Sequence, residues 1–72
     1  MKLSTRNILK GKVTEINEGM VMSKVKVDVG DGNGNVLTSV ISMEAVKDLG
    51  LEVGKEISVL IKATSVMLAT DD

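Results

Sequence analysis

The sequence predicts an all-β chain: a small five-stranded barrel with one short helix between its third and fourth strands. Three observations carry that expectation. Val21, Ser23, Val25, Val27 and Val29 share one face at period two, while Lys24, Lys26 and Asp28 share the other. A glycine- and asparagine-rich run, Gly30-Asp31-Gly32-Asn33-Gly34-Asn35, has the residues that tolerate positive φ in a hairpin loop. Only one stretch, from Ser42 to Gly50, carries both a helix start signal and a helix stop signal.

Taken in order, Asn7 to Glu18 forms the first strand, with apolar Ile8, Leu9, Val13 and Ile16. Gly11 within it marks a bend or bulge. Asn17-Glu18-Gly19 turns the chain into the second strand, the valine run. After the loop, Val36 to Ile41 is the third strand. Ser42 is the expected N-cap of a helix over Met43 to Leu49, with Glu44 in the first turn and Gly50 just past the end. Val53-Gly54-Lys55 is a turn, Glu56 to Ile61 the fourth strand, and Val66 to Ala69 a short fifth. Asp71 and Asp72 read as a frayed tail. This order of elements is that of the OB-fold, a Greek-key barrel.

Composition narrows the function. A chain of 72 residues is one domain, here 1–72. Its apolar fraction is 43% with no Phe, Tyr or Trp, so the core is built from Val, Ile, Leu, Met and Ala. Without aromatics, disulfide or metal to supplement so small a core, subunit contacts are expected to supply the missing burial. Net charge is −1 with no run of one sign, which argues against nucleic acid as a partner. The start, Met1-Lys2-Leu3-Ser4, has no apolar signal core, and no stretch is long enough to span a membrane. The expectation is a cytoplasmic protein.

Two blocks carry the chemistry. Ser4-Thr5-Arg6-Asn7 opens the chain, and Lys62-Ala63-Thr64-Ser65-Val66 nearly closes it. Each sets one cation among hydroxyls. Arginine presents a planar fork that grips two oxygens of a tetrahedral anion, and lysine a compact point charge. Ser42, at a helix start, adds a hydroxyl near free backbone N–H groups. First and last strands of such a barrel lie close together, so the blocks are able to meet within a subunit or across a boundary. On residue types alone these are also ordinary surface residues.

Four segments, in order, resemble one family. Ser4-Thr5-Arg6-Asn7 followed by Ile8-Leu9-Lys10-Gly11-Lys12-Val13 is similar to the S-A-R-N-x-L-x-G-x-V signature of the molbindins, the molybdenum-pterin-binding-type (Mop) proteins of the TOBE group. Leu37-Thr38-Ser39-Val40-Ile41-Ser42, Leu49-Gly50-Leu51-Glu52-Val53-Gly54-Lys55 and Ile61-Lys62-Ala63-Thr64-Ser65-Val66 resemble the same family, and the likeness runs from Leu3 to Ala69. The resemblance implies an OB-like barrel assembled as a hexamer, a trimer of dimers, that holds molybdate or tungstate between subunits. It implies oxyanion contacts from Ser4, Thr5, Arg6, Ser42, Lys62, Ala63 and Thr64, with Ala63 acting through its backbone N–H. A second site on the threefold axis is implied too, for which Ser23 is the candidate within Gly19 to Lys24. Two departures stand out: Thr5 replaces a small alanine, and Ala45 stands where many relatives carry a serine. The metal would be bound as its oxyanion, with no direct protein ligand.

Other chemistries fit less well. Counted from Asp31, the twelfth position of a calcium loop is Ser42 rather than glutamate. The glycines are not followed by G-K-[ST], so they form no phosphate loop. No histidine or cysteine exists to build a nucleophile–base pair, and an enzyme is not expected. The alternatives to oxyanion storage are a molybdate-sensing regulatory module and an OB-type nucleic-acid binder.

Overall fold

The computed structural model describes residues 6–71, so Ser4 and Thr5 of the opening block lie outside the described residues. The elements are β1 (Asn7–Glu18), β2 (Met22–Asp28), β3 (Val36–Ser42), α1 (Met43–Leu49), β4 (Glu56–Ile61) and a 3-10 turn over Ala63–Ser65. The strands form one antiparallel sheet in the order β3-β2-β1-β4.

β1 is the spine. Asn7 to Lys12 pairs with β4, and Lys12 to Glu18 pairs with β2, so one strand serves two halves of a curled sheet. A bulge between Val13 and Glu15 sharpens the bend. Gly11 permits the curl. A Cβ placed there would sit 2.6 Å from the Asp28 carbonyl oxygen and 2.7 Å from a Val27 methyl. That close approach also fixes which face is inward, because Gly11 points at Val27, a core residue.

Inward alternation therefore carries Val13, Ser23, Val25 and Val27, all buried, together with half-buried Ile57 and Val59. Val46 of α1 lies over them. The helix is fixed at both ends as its sequence predicts. The Ser42 hydroxyl oxygen accepts from the Ala45 N–H at 3.0 Å. Gly50, at φ 62°, lets its own N–H reach the Lys47 carbonyl while the Leu51 N–H reaches that of Val46, closing the helix with a Schellman motif. Lys55 adds a cation there: its Nζ donates to the Leu49 and Gly50 carbonyls at 2.7 and 3.2 Å. The predicted loop also forms. Asp31, Gly32 and Gly34 have positive φ, and both Asp28 carboxylate oxygens accept loop N–H groups, from Gly30 and Gly32.

One expectation is corrected. The sheet has four strands among the described residues, not five, and Val66 to Ala69 is not a strand. A strand needs a neighbour's backbone to pair with, and among the described residues no strand of the sheet pairs with this segment. The fold is an open half-barrel. A hollow of about 350 Å³ lined by Val25, Ile41, Leu51, Ile57 and Val59 is left on its concave side. Met67 and Leu68 stand 91% and 92% exposed beyond it.

Candidate functional site

Strand register brings the two ends of the chain together. The last pairs of the β1–β4 ladder are Asn7 with Ile61 and Ile8 with Leu60. One step further, Arg6 falls opposite Lys62, whose backbone is still extended at φ −63° and ψ 141°. Since Gly11, Ile57 and Val59 face inward, alternation turns Ile8, Leu60, Arg6 and Lys62 outward on one face.

Two cations opposite one another on a sheet repel, and like charges at cross-strand positions are destabilising. Elsewhere on this face Lys12 and Lys26 have acidic neighbours, whereas Lys10 and Lys24 stand opposite Ser58 and Asn17. Lys12 is in register with both Asp28 and Glu56, and Lys26 forms an ion pair with Glu15 at 3.4 Å. Among the described residues, no carboxylate pairs with Arg6 or Lys62. Within β1 and β4 the nearest acidic side chain on this face is Glu56, six residues from Lys62 and so about 20 Å away along the strand. The end of the ladder therefore carries two exposed cations with no carboxylate partner among the described residues.

The chain then folds into the 3-10 turn, whose Ser65 N–H donates to the Lys62 carbonyl at 2.9 Å. Ala63 and Thr64 hold its first two positions, where backbone N–H groups have no acceptor further back in the turn. Their amides and the exposed Thr64 hydroxyl follow Lys62 directly.

Ser42 is not brought there. It ends β3 opposite Met22, at the hairpin end of the sheet, while Arg6 precedes the other end of β1. The strand between them has 12 residues, and at about 3.3 Å per residue the separation along the sheet is on the order of 30 Å. The molecule itself is 41 Å in its longest dimension. The Ser42 oxygen accepts the helix cap bond, which leaves its O–H proton available to a further acceptor. Ser23 is 2% exposed on the inward face, and its hydroxyl donates to the Asn17 carbonyl at 3.1 Å. That bond ties the β1–β2 hairpin.

The larger hollow, about 640 Å³, opens beside Lys10, Lys12, Asp28, Asp31 and Glu56. Its carboxylates outnumber its lysines, so it does not suit an oxyanion. Nor does the sheet suit nucleic acid, which requires an unmatched basic groove and stacking aromatics. Among the described residues no group of His, Cys, Asp or Glu is arranged to hold a metal ion directly, and no helix is long and apolar enough to cross a membrane.

Two positions that sequence reading passed over stand out here. Ile8 and Leu60 are apolar yet fall on the outward side by alternation, 44% and 41% exposed, in the row next to the cations, and Leu60 also borders the hollow of about 350 Å³. The signal lay in their spacing, two residues from Arg6 and two from Lys62, but it becomes legible only with the register.

Comparison with known proteins places this geometry in context. The TOBE domain model matches residues 3–68. The chain is 55% identical over 71 residues to a probable molybdenum-pterin-binding protein of Haemophilus influenzae, covering 99% of this chain and all of the relative. It superposes with a TM-score of 0.87 on a molybdate-binding protein from Sporomusa ovata, at 37% identity and over 97% and 100% of the two chains. A molybdate-bound structure of the cytoplasmic molybdate-binding protein ModG matches with a TM-score of 0.84 and 40% identity, over 93% of this chain and 46% of the other.

Proposed function

The chain belongs to the TOBE domain family, and we propose that it is a molybdate-binding protein serving oxyanion storage and homeostasis in the cytoplasm, with tungstate as a second ligand. It acts by binding and release, not by catalysis. The observation that carries this reading is the outward, unmatched pair Arg6 and Lys62 at the end of the β1–β4 ladder, in a chain of this family.

Molybdate carries two negative charges and four acceptor oxygens. A charge withdrawn from water needs opposite charge and hydrogen bonds in exchange. Arg6 supplies a two-pronged contact and Lys62 a point charge. The amides of Ala63 and Thr64, the Thr64 hydroxyl, and the Ser4 and Thr5 block preceding Arg6 supply neutral donors. Ser42 supplies a hydroxyl from a second copy of the chain, because within one chain it lies at the opposite end of the sheet. The anion thus sits at a subunit boundary. Ser23 is proposed as the residue of a second site, in which its hydroxyl would give up the bond to the Asn17 carbonyl and donate to the anion instead.

The same structure supports a homo-oligomer as part of the proposal, with a hexamer built as a trimer of dimers as its form. Only Val13, Val25, Val27 and Val46 are buried apolar residues among those described, too few for a stable isolated core. Each protomer has an unfilled apolar hollow and an exposed apolar tail, Val66 to Leu68. The tail of a second copy, added as a fifth strand, fills the hollow and pairs an open sheet edge.

Isothermal titration with molybdate, tungstate and sulfate tests the function. Saturable heat with molybdate at micromolar protein supports it, and no heat contradicts it.

A further inference from the structure

We infer that the outward apolar pair Ile8 and Leu60 sets the selectivity of the oxyanion site for molybdate over sulfate, by forming a wall that offers no hydrogen bond. This rests on the molybdate-binding reading. Ile8 and Leu60 are in register with each other, in the row next to Arg6 and Lys62, and on the same face. Successive rows on one face are about 6.6–7 Å apart, so an anion held between the cation side chains has the two apolar side chains as its inner neighbours. Lys10 and Ser58 form the row beyond them, and the apolar pair therefore stands between the cation pair and the next polar groups.

Sulfate and molybdate are tetrahedral dianions of equal charge, and Arg6 and Lys62 attract both. They differ in size. Ion hydration weakens as radius grows, in the manner of Born solvation, so the smaller sulfate holds its water more tightly. A wall of hydroxyls or amides would replace the lost water for either ion. A wall of methyl groups replaces it for neither, and the penalty falls more heavily on sulfate. Placing hydrocarbon directly beside unmatched cations thus favours the larger, more weakly hydrated oxyanion without any difference in charge.

The test uses the full chain and the variants Ile8→Thr and Leu60→Thr, each keeping a residue compatible with a strand. Leu60→Met, which keeps the wall apolar, is the control. Affinities for molybdate and sulfate are measured by titration, and assembly by sedimentation. The wild-type titration first establishes molybdate binding; its failure removes the functional reading itself. With binding established, the molybdate-to-sulfate affinity ratio is expected to fall about tenfold or more in either threonine variant, equivalent to about 1.4 kcal/mol. The control is expected to keep the ratio. A ratio within twofold of wild type in both threonine variants overturns the inference. Loss of assembly in both overturns it as well, because the pair then serves as packing rather than as a wall of the site.

Discussion

Replacing Leu68 by alanine is expected to weaken self-association by about four orders of magnitude without removing a contact within the protomer's core. Leu68 is 92% exposed and makes no part of its own core, so its truncation removes nothing from the protomer. In the proposed exchange of tails its side chain would enter a second copy's hollow of about 350 Å³, lined by Val25, Ile41, Leu51 and Val59. Truncating a buried leucine costs about 2–5 kcal/mol, and about 3 is a fair central value. An exchanged pair contains two such tails, giving about 6 kcal/mol for the pair, and each 1.4 kcal/mol is tenfold in affinity. Sedimentation from nanomolar to tens of micromolar protein reads the change, with Asp71→Ala as the exposed control. A dissociation constant for Leu68→Ala within tenfold of wild type refutes the exchange of tails.

Other perturbations test the scaffold and the site separately. Gly11→Ala drives a methyl into the Asp28 carbonyl and the Val27 side chain, and a loss of about 1–3 kcal/mol is expected in chemical denaturation. Lys55→Met removes the bonds to the Leu49 and Gly50 carbonyls at the helix end and is expected to cost about 1 kcal/mol, read as a lower Tm. Ser42→Asp keeps an equally good helix cap, so the fold survives, but it sets a carboxylate where the anion is received. Molybdate affinity is expected to fall at least about a hundredfold, some 2.7 kcal/mol, by titration; unchanged affinity removes Ser42 from the site.

Much of the fold was legible because local signals decide it. The valine alternation sets β2 and its buried face, Asp31, Gly32 and Gly34 set the loop, and Ser42 and Gly50 set both ends of α1. Val66 to Ala69 misled for a physical reason: its apolar residues suit a strand, but among the described residues no strand of the sheet pairs with it. For the site, residue types alone left Arg6 and Lys62 readable either as anion partners or as ordinary surface cations, and one row beyond the last pair of the β1–β4 register they fall opposite one another. Ser42 could not be assigned an end of the molecule until the length and pairing of β1 were known. Ile8 and Leu9 are adjacent and both apolar, so the sequence does not say which faces outward; the contact of Gly11 with Val27 does.

The central claim is that Arg6 and Lys62 hold a molybdate dianion at the end of the β1–β4 ladder. Titration of molybdate into the wild type and into Arg6→Ala, with assembly followed by native mass spectrometry, tests it most directly. The account predicts saturable binding by the wild type and loss of most of it in Arg6→Ala, with the oligomer retained. Wild-type affinity in an assembled Arg6→Ala protein would contradict it.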